Sequence, residues 1–146
     1  MAASPVLPEN APSIGKGRYI LVARIGEGGM AGVYRAWDKK LRVWRAVKVL
    51  LPEFARRKKV RTRFESEAHT MARLEHDNLV RIYDVGDAGE LPFIVMELVS
   101  GGTLRGWTAR NGRMPAALAV EVTLQLSRGV LAAHAAGIVH RDIKPQ

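Results

Sequence analysis

A glycine-rich segment between two strand-like runs is the feature that most restricts the fold of this chain. It reads GEGGMAG over residues 26–32, after the run RYILVARI and before VYRAWD. Glycine lets backbone N–H groups approach phosphate oxygens because no side chain intervenes. A dinucleotide-binding loop opens a helix, and a Walker loop requires Gly-Lys-Ser or Gly-Lys-Thr; neither condition is met here. Two interpretations are left: a flexible hairpin turn, or a flap between strands that lies over nucleotide phosphates.

A single lysine, Lys48, interrupts the apolar run AVKVL that follows the loop. Alternation along a strand places Lys48 on the same face as Ala46. Because lysine is seldom buried alone, Lys48 is either a surface residue that reaches solvent or the partner of a carboxylate. Glu67 lies three residues after Phe64 on an apolar helical stripe, where a carboxylate needs a cation. We predict an ion pair between Lys48 and Glu67 that holds the ammonium near nucleotide phosphates.

The remaining hydrophobic patterns predict an α+β fold. Strand-like runs occupy residues 79–85 and 92–98, and apolar residues at helical spacing predict helices over 58–75 and 115–136. The last of these is apolar on nearly every side, so we expect it to be buried all round. Residues 1–16 carry three prolines and no apolar period, which predicts a flexible tail.

Six segments follow one another in a recognisable order: IGEGGMAGVYRAWD, AVKVL, RFESEA, LEHDNLVRIYDVG, FIVMELVSGGTL and IVHRDIKP. In this order they resemble the catalytic domain of a bacterial, eukaryotic-like serine/threonine protein kinase, and the His-Arg-Asp-x-Lys-Pro string is specific by itself. The resemblance implies a bilobal fold. Its small lobe, over residues 17–99 with the hinge, would have about five antiparallel strands plus one helix. The large helical lobe would begin at residues 100–146 and be truncated in the catalytic loop.

The resemblance also implies an activity and roles for individual residues. The activity is ATP-dependent transfer of the γ-phosphoryl group to serine or threonine of a protein substrate, as in bacterial signalling. Asp142 would accept the proton of the substrate hydroxyl, and Lys144 marks serine/threonine specificity. Lys48 would contact the α- and β-phosphates, and Glu67 would hold Lys48. Arg141 indicates an activation segment that phosphorylation orders. The implied ATP-binding residues are Ile25, Gly26, Glu27, Gly28, Gly29, Val33, Ala46, Lys48, Met96, Glu97 and Val99.

The strongest departure from the family pattern is at the C-terminal end. Gln146 stands one position before the family's catalytic-loop asparagine, and neither Asp-Phe-Gly nor Ala-Pro-Glu occurs in the chain. That asparagine and that aspartate hold Mg²⁺ in the family, so the magnesium ligands lie beyond this chain and we predict no metal site within it. We expect a fragment that is inactive by itself. The alternative is a short, non-catalytic kinase-like module that binds nucleotide or a partner kinase.

The formal net charge of +9 comes largely from one local cluster. The segment RRKKVRTR, over residues 56–63, holds six basic residues and no acidic one. Such a cluster either contacts nucleic-acid phosphates or forms a solvated lead-in to the following helix. Because no stacking aromatic residue or groove-reading motif accompanies it, we expect no nucleic-acid partner.

Composition narrows the cellular setting. The chain has no cysteine, which excludes a disulfide scaffold and a thiolate metal site. It has neither an apolar run of about 18 residues nor a signal peptide, which predicts a cytoplasmic protein without a membrane segment. A membrane anchor encoded further along the intact gene is compatible with this. The expected partners are ATP, a protein substrate and, through the small lobe, a second kinase molecule.

Overall fold

The computed structural model describes residues 5–89 and 91–145. Its N-terminal part is a six-stranded antiparallel sheet of β1 Ser13–Ile14, β2 Tyr19–Glu27, β3 Ala31–Asp38, β4 Val43–Leu50, β5 Ile82–Ala88 and β6 Leu91–Met96. The order across the sheet is β1-β2-β3-β4-β6-β5. Helices α1 Pro52–Ala55 and α2 Lys58–Met71 connect β4 to β5, and helices α3 Leu104–Asn111 and α4 Ala116–Ala135 follow β6.

The small lobe has one strand and one helix more than expected. The extra strand, β1, lies inside the predicted tail of residues 1–16 and pairs with β2. Just before it, the carbonyl of Pro12 accepts a hydrogen bond from the Leu21 amide at 2.8 Å. Residues 13 and 14 therefore belong to the sheet, and the predicted flexible tail is wrong for these two residues. The edge of β2 offers backbone partners to a segment that is too short to show an apolar period. Residues 1–4 of the predicted tail lie outside the described residues.

The central strands place their side chains as alternation predicts. Val33, Lys48 and Ile94 lie opposite one another on β3, β4 and β6. Ala46 lies opposite Met96 in the same way. Since directly paired residues share a face, these five residues line one side of the sheet. The predicted common face of Ala46 and Lys48 is confirmed.

The other face of the sheet forms the core. Its buried members are Tyr19, Ala36, Val47, Val49, Phe93 and Val95. The sheet curls around this cluster and brings β2 close to the edge strand β5. The Tyr19 hydroxyl on β2 donates a hydrogen bond of 2.6 Å to Asp84 on β5. Burial and this hydrogen bond raise the pKa of the Tyr19 hydroxyl, so that it keeps its proton and donates.

An ion pair that no sequence pattern indicated closes one end of the sheet. Asp38, at the end of β3, is 1% exposed and accepts two hydrogen bonds from the Arg18 guanidinium, at 3.1 and 2.8 Å. The amides of Lys40 and Leu41 donate to the same carboxylate at 2.9 and 3.1 Å. The carboxylate thus joins the start of β2 to the turn between β3 and β4.

The ring of Phe93 packs directly on Gly86 of the neighbouring strand. A Cβ atom added at Gly86 would lie 2.5 Å from Cζ of that ring. We expect Gly86→Ala to lower the free energy of unfolding by about 1–3 kcal/mol, because the ring must shift within a packed core. Urea denaturation of the two proteins measures this difference.

Gly101→Ala is the matched control for Gly86→Ala. A Cβ atom at Gly101 would meet no atom within 4 Å, and its backbone does not lie in the left-handed region. We expect a change of less than about 0.5 kcal/mol for this variant. Equal losses of stability in the two variants would contradict the close packing of Phe93 on Gly86.

Helix α4 is largely exposed, so the expectation that it is buried all round is wrong for this chain. Its buried residues are Gly129 and Ala133. A Cβ atom at Gly129 would lie 2.6 Å from the carbonyl oxygen of Asn78, so α4 touches the segment before β5 along a narrow line. Among the described residues, only this narrow strip of α4 is buried, and the rest of its apolar surface is exposed to solvent. The exposed apolar residues of the helix are Leu118, Val120, Leu124, Leu126 and Leu131.

By length and composition alone, α4 is the one helix of the described residues that is long and apolar enough to cross a membrane. Its most apolar 18-residue window has a mean hydropathy of 1.3, and 11% of that window is buried. The core helices of water-soluble domains meet the same criterion, so the composition of α4 is weak evidence for a membrane segment.

Candidate active site

The glycine-rich segment forms the turn between β2 and β3 and leads into a strand, as the flap interpretation requires. The Gly28 amide donates a hydrogen bond of 3.0 Å to the Ala31 carbonyl, which closes the turn. A Cβ atom at Gly29 would meet nothing within 4 Å, so no side chain screens the backbone there. Ile25 and Glu27, two of the predicted ATP-binding residues, are exposed on the same hairpin. The amides of Gly29 and Met30 donate to no carbonyl among the described residues and are open to an anionic ligand.

Four of the predicted ATP-binding residues share the sheet face next to this hairpin: Val33, Ala46, Lys48 and Met96. Gly26 pairs with Val33, which joins the loop to this face. The side chain of Ala46 is small and buried. Two cations lie on this otherwise apolar face, Lys48 between Val33 and Ile94 and Arg35 opposite Ala46. An apolar surface with a few polar groups has the composition of a nucleotide site.

The segment after β6 presents backbone groups beside the same face. The Glu97 amide donates to the Arg81 carbonyl at 2.9 Å, which fixes the start of the segment. Two residues later Val99 is exposed, and no carbonyl among residues 5–89 and 91–145 accepts a hydrogen bond from its amide. Glu97 and Val99 therefore lie in an extended linker where backbone groups are available to a planar, hydrogen-bonding ring.

The predicted ion pair between Lys48 and Glu67 is not formed, and that prediction was wrong for this structure. Glu67 instead accepts a hydrogen bond from Arg63 at 2.8 Å, and its side chain is 58% exposed. The Lys48 ammonium lies 5.8 Å from the centre of the Phe64 ring. Of the two residues predicted to lie on the apolar stripe of α2, Phe64 and not Glu67 therefore lies next to Lys48.

Solvation explains this choice of partner. A carboxylate that leaves water loses several kcal/mol of hydration, which a single cation restores only with further hydrogen bonds. Arg63 lies one helical turn before Glu67 and pairs with it at the surface, where neither group is desolvated. The spacing of these two residues was visible in the sequence and is the signal that indicates their pairing.

Asp142 and Lys144 form an ion pair in the loop after α4, with 2.9 Å between Nζ and Oδ2. The hydrogen bond and charge of Lys144 lower the pKa of the Asp142 carboxyl, so that Asp142 is ionised at neutral pH. The Asp142 amide donates to Nδ1 of His140 at 3.3 Å. Between them, Arg141 has a left-handed backbone with φ of 62°, a strained conformation that is common at functional sites.

Contacts with α3 and α4 hold this loop in place. The Arg105 amide at the start of α3 donates to the Pro145 carbonyl at 2.7 Å. Ile143 closes a hollow of about 350 Å³ against α4, whose walls include Leu126 and Val130. The carboxylate of Asp142 remains accessible.

Metal binding is not supported by the residues at hand. Within the described ranges, no three His, Cys, Asp or Glu side chains lie close enough together to hold a metal ion. The asparagine and the aspartate that hold Mg²⁺ in the resembled family are not in the sequence. The donor set of the described residues does not fit Mg²⁺.

Comparison with known proteins identifies the arrangement. Residues 19–146 match the family model described as the protein kinase domain. The chain belongs to the protein kinase family. Serine/threonine-protein kinase PknL of Mycobacterium tuberculosis is 44% identical over 129 residues, which cover 88% of this chain and 32% of PknL. Serine/threonine-protein kinase PknB of Mycobacterium leprae is 42% identical over 132 residues, which cover 88% of this chain and 21% of PknB.

Solved structures give the same result for the fold of this kinase chain. The crystal structure of the Mycobacterium tuberculosis PknI kinase domain matches with a TM-score of 0.76 and 26% sequence identity. The match covers 99% of this chain and 55% of the PknI domain. These comparisons confirm the predicted family, in which the curated relatives are named serine/threonine-protein kinases, and the kinase-like fold. Kinases of this family use ATP and Mg²⁺ and act on proteins. The chain spans about a fifth to a third of the length of these curated relatives.

Proposed function

We propose that this chain supplies the nucleotide-binding lobe and the catalytic loop of an enzyme that transfers the γ-phosphoryl group of ATP to serine or threonine of a protein substrate. The observation that carries the proposal is the single sheet face on which Val33, Ala46, Lys48 and Met96 lie beside the open glycine turn. Bound ATP supplies the phosphoryl group, and the chain supplies its orientation and the proton acceptor.

The geometry supports separate roles for the two parts of the proposed nucleotide site. The apolar face at Val33 and Ala46 is placed to pack against adenine, and the backbone of Glu97 and Val99 to pair with its edge. The Lys48 ammonium and the amides of the glycine turn are placed to bind phosphate oxygens. Ile25 and Glu27, on the exposed flank of the hairpin, border the same ligand.

The carboxylate of Asp142 is the proposed proton acceptor. Its lowered pKa keeps it ionised at neutral pH, where it orients the substrate hydroxyl and receives its proton. Lys144 lies beside it and is placed to bind the substrate side of the transferred group. Glu67 is proposed to hold Lys48 after it exchanges its partner Arg63, which requires a movement of α2.

Nucleotide binding by the 146-residue chain tests the first part of the proposal. We expect Lys48→Met to weaken the binding of a fluorescent N-methylanthraniloyl ATP by about tenfold or more. A charge-assisted hydrogen bond contributes about 1.5–3 kcal/mol, which is the reason for that size. Fluorescence titration without metal ions measures the dissociation constant.

Lys40→Met is the matched control for the nucleotide titration, because Lys40 is an exposed lysine on the turn between β3 and β4. We expect it to change the dissociation constant by less than about twofold. Equal weakening by both variants, or no saturable binding by the unaltered chain, would count against the proposed site.

The alternative function, a non-catalytic module that binds nucleotide or a partner kinase, makes the same prediction for Lys48. It differs for Asp142, because nucleotide binding alone does not require a proton acceptor. A coding sequence after Gln146 that supplies the family's asparagine and Asp-Phe-Gly would favour the enzyme, and its absence in every reading frame would favour the module.

Location and assembly complete the proposal. We also propose a cytoplasmic location, which the need for ATP supports. A dimer formed through the small lobe stays a prediction from the family resemblance, and light scattering of the purified chain tests it. We further expect no nucleic-acid partner.

A further inference from the structure

A groove of about 450 Å³ lies between α1, the first half of α2 and the start of β6. Its lining residues are Pro52, Ala55, Arg56, Arg61 and Leu91. None of them belongs to the proposed nucleotide site. Pro52, Ala55 and Leu91 give the groove apolar walls, and its volume is sufficient for one large side chain.

Four cations that pair with no acidic group among the described residues surround this groove. Arg56, Arg57, Lys58 and Lys59 lead from α1 into α2, and all four are exposed. In the described part of the chain, none of the four forms an ion pair. Glu53 on α1 is the nearest acidic residue in sequence, and it forms no ion pair either. The rim therefore keeps a net positive charge.

The cations further along α2 are already neutralised. Arg61 pairs with Glu65 at 3.0 Å and with Asp87 on β5. Arg63 pairs with Glu67 at 2.8 Å. The rim cations therefore differ from the rest of the basic cluster, because only they are available to groups outside the chain.

The beginning of α2 is electrostatically unfavourable for the isolated chain. Arg57 at the N-cap makes no side-chain capping bond, and the first turn contains no acidic residue. Lys58 and Lys59 instead add positive charge at the positive end of the helix dipole. Carboxylates supplied from outside would relieve both the repulsion among the cations and their repulsion from the dipole.

We propose that the groove and its rim form a docking site for an acidic segment of a partner protein. Carboxylates of the segment pair with Arg56, Arg57, Lys58 and Lys59, and one apolar side chain enters the groove. The proposal does not rest on the nucleotide site. A polypeptide fits better than nucleic acid, because the nearby ring of Phe54 is covered by the Arg57 guanidinium at 5.2 Å and is not free to stack on a base.

Fluorescence anisotropy with a labelled peptide of sequence EEELEEE tests the charged rim, with the full 146-residue chain as receptor. We expect saturable binding that weakens about tenfold in the triple variant Arg56→Gln/Lys58→Gln/Lys59→Gln. Three exposed charge contacts of ordinary strength account for that change.

The matched control removes the same charge from the turn between β3 and β4, in the triple variant Lys39→Gln/Lys40→Gln/Arg42→Gln. We expect it to weaken peptide binding by less than about twofold, with an unchanged circular dichroism melt in both triple variants. Equal weakening by the two variants would show that net charge alone attracts the peptide and would overturn the proposal.

Two further ligands test the groove and the class of partner. The peptide EEESEEE lacks the apolar side chain, and we expect it to bind about tenfold more weakly than EEELEEE. Equal affinity of the two peptides would overturn the role of the groove. An oligouridylate of the same charge that bound as tightly as EEELEEE, with the same dependence on the rim residues, would replace the acidic peptide by nucleic acid as the ligand.

Discussion

Asp38→Ala is expected to lower the free energy of unfolding by about 3 kcal/mol, near the lower end of the range for breaking a buried ion pair. The carboxylate of Asp38 is almost fully buried and accepts hydrogen bonds from Arg18 and from the amides of Lys40 and Leu41. Alanine leaves the amides of Lys40 and Leu41 without this acceptor, and the Arg18 guanidinium keeps only Asp84, 3.5 Å from its Nη1. The Arg18 side chain is 31% exposed and regains part of its hydration, which places the loss at the lower end.

The pH dependence of this effect identifies the charge on Asp38 as its cause. Burial by itself raises the pKa of the Asp38 carboxyl, but hydrogen bonds from Arg18, Leu41 and Lys40 outweigh burial and hold this pKa below its ordinary value. The stabilisation is therefore complete above the unfolded-state pKa of about 3.9 and is lost as the pH falls through the lower folded-state pKa. We expect the difference between the two proteins to be constant from pH 7 to about pH 5 and to shrink below about pH 4.

Urea denaturation at pH 7, 5 and 3.5 measures both effects. Glu27→Ala is the control, because Glu27 forms an exposed ion pair with Arg24 at 3.0 Å. Such a pair contributes about 1 kcal/mol at most. A loss for Asp38→Ala no larger than that for Glu27→Ala would contradict a structural role for the buried pair.

The contrast between Lys48 and Asp38 shows which features of this fold can be predicted from a sequence pattern. Alternation placed Lys48 on the same face as Ala46, because the period of a strand depends on neighbouring residues alone. The pairing of Arg18 with Asp38 joins residues 20 positions apart and depends on how β2 and the turn after β3 meet. Neither residue differs in the sequence from an ordinary surface charge, so only the structure identifies the pair.

The prediction for Glu67 failed for a different reason. Helical spacing grouped it with Phe64, but spacing does not determine which of these residues contacts the sheet. Glu67 had two candidate cations, Lys48 on the sheet and Arg63 on its own helix. It pairs with Arg63 at the surface, where neither charge is desolvated. Periodicity likewise marked α4 as apolar without indicating what covers it.

The partner of Glu67 also bears on the proposed function. Its exposed pair with Arg63, at the i, i+4 spacing, contributes about 0.3–0.5 kcal/mol. Loss of this pair therefore opposes only weakly a movement of α2 that brings Glu67 to Lys48.

A polypeptide of these 146 residues is expected to show no measurable phosphoryl transfer. The family relies on positioning and on electrostatic stabilisation of charge on the transferred group. The residues that hold its metal ions, the catalytic-loop asparagine and the Asp-Phe-Gly aspartate, are not in this sequence. Incubation of the purified chain with radiolabelled ATP and a generic basic protein measures the rate.

A longer polypeptide that continues into these two motifs is expected to transfer phosphate, and its rate should depend on Asp142. Asp142→Asn removes the proton acceptor, and we expect the turnover rate to fall by about 10²–10⁴-fold. Glu121→Gln, on the exposed surface of α4, should leave the rate within about twofold. Transfer by the 146-residue chain that Asp142→Asn abolishes would contradict the requirement for the missing ligands. Equal rates for Asp142→Asn and Glu121→Gln in the longer protein would contradict the role of Asp142, because a group that accepts the substrate proton cannot be removed without slowing the reaction.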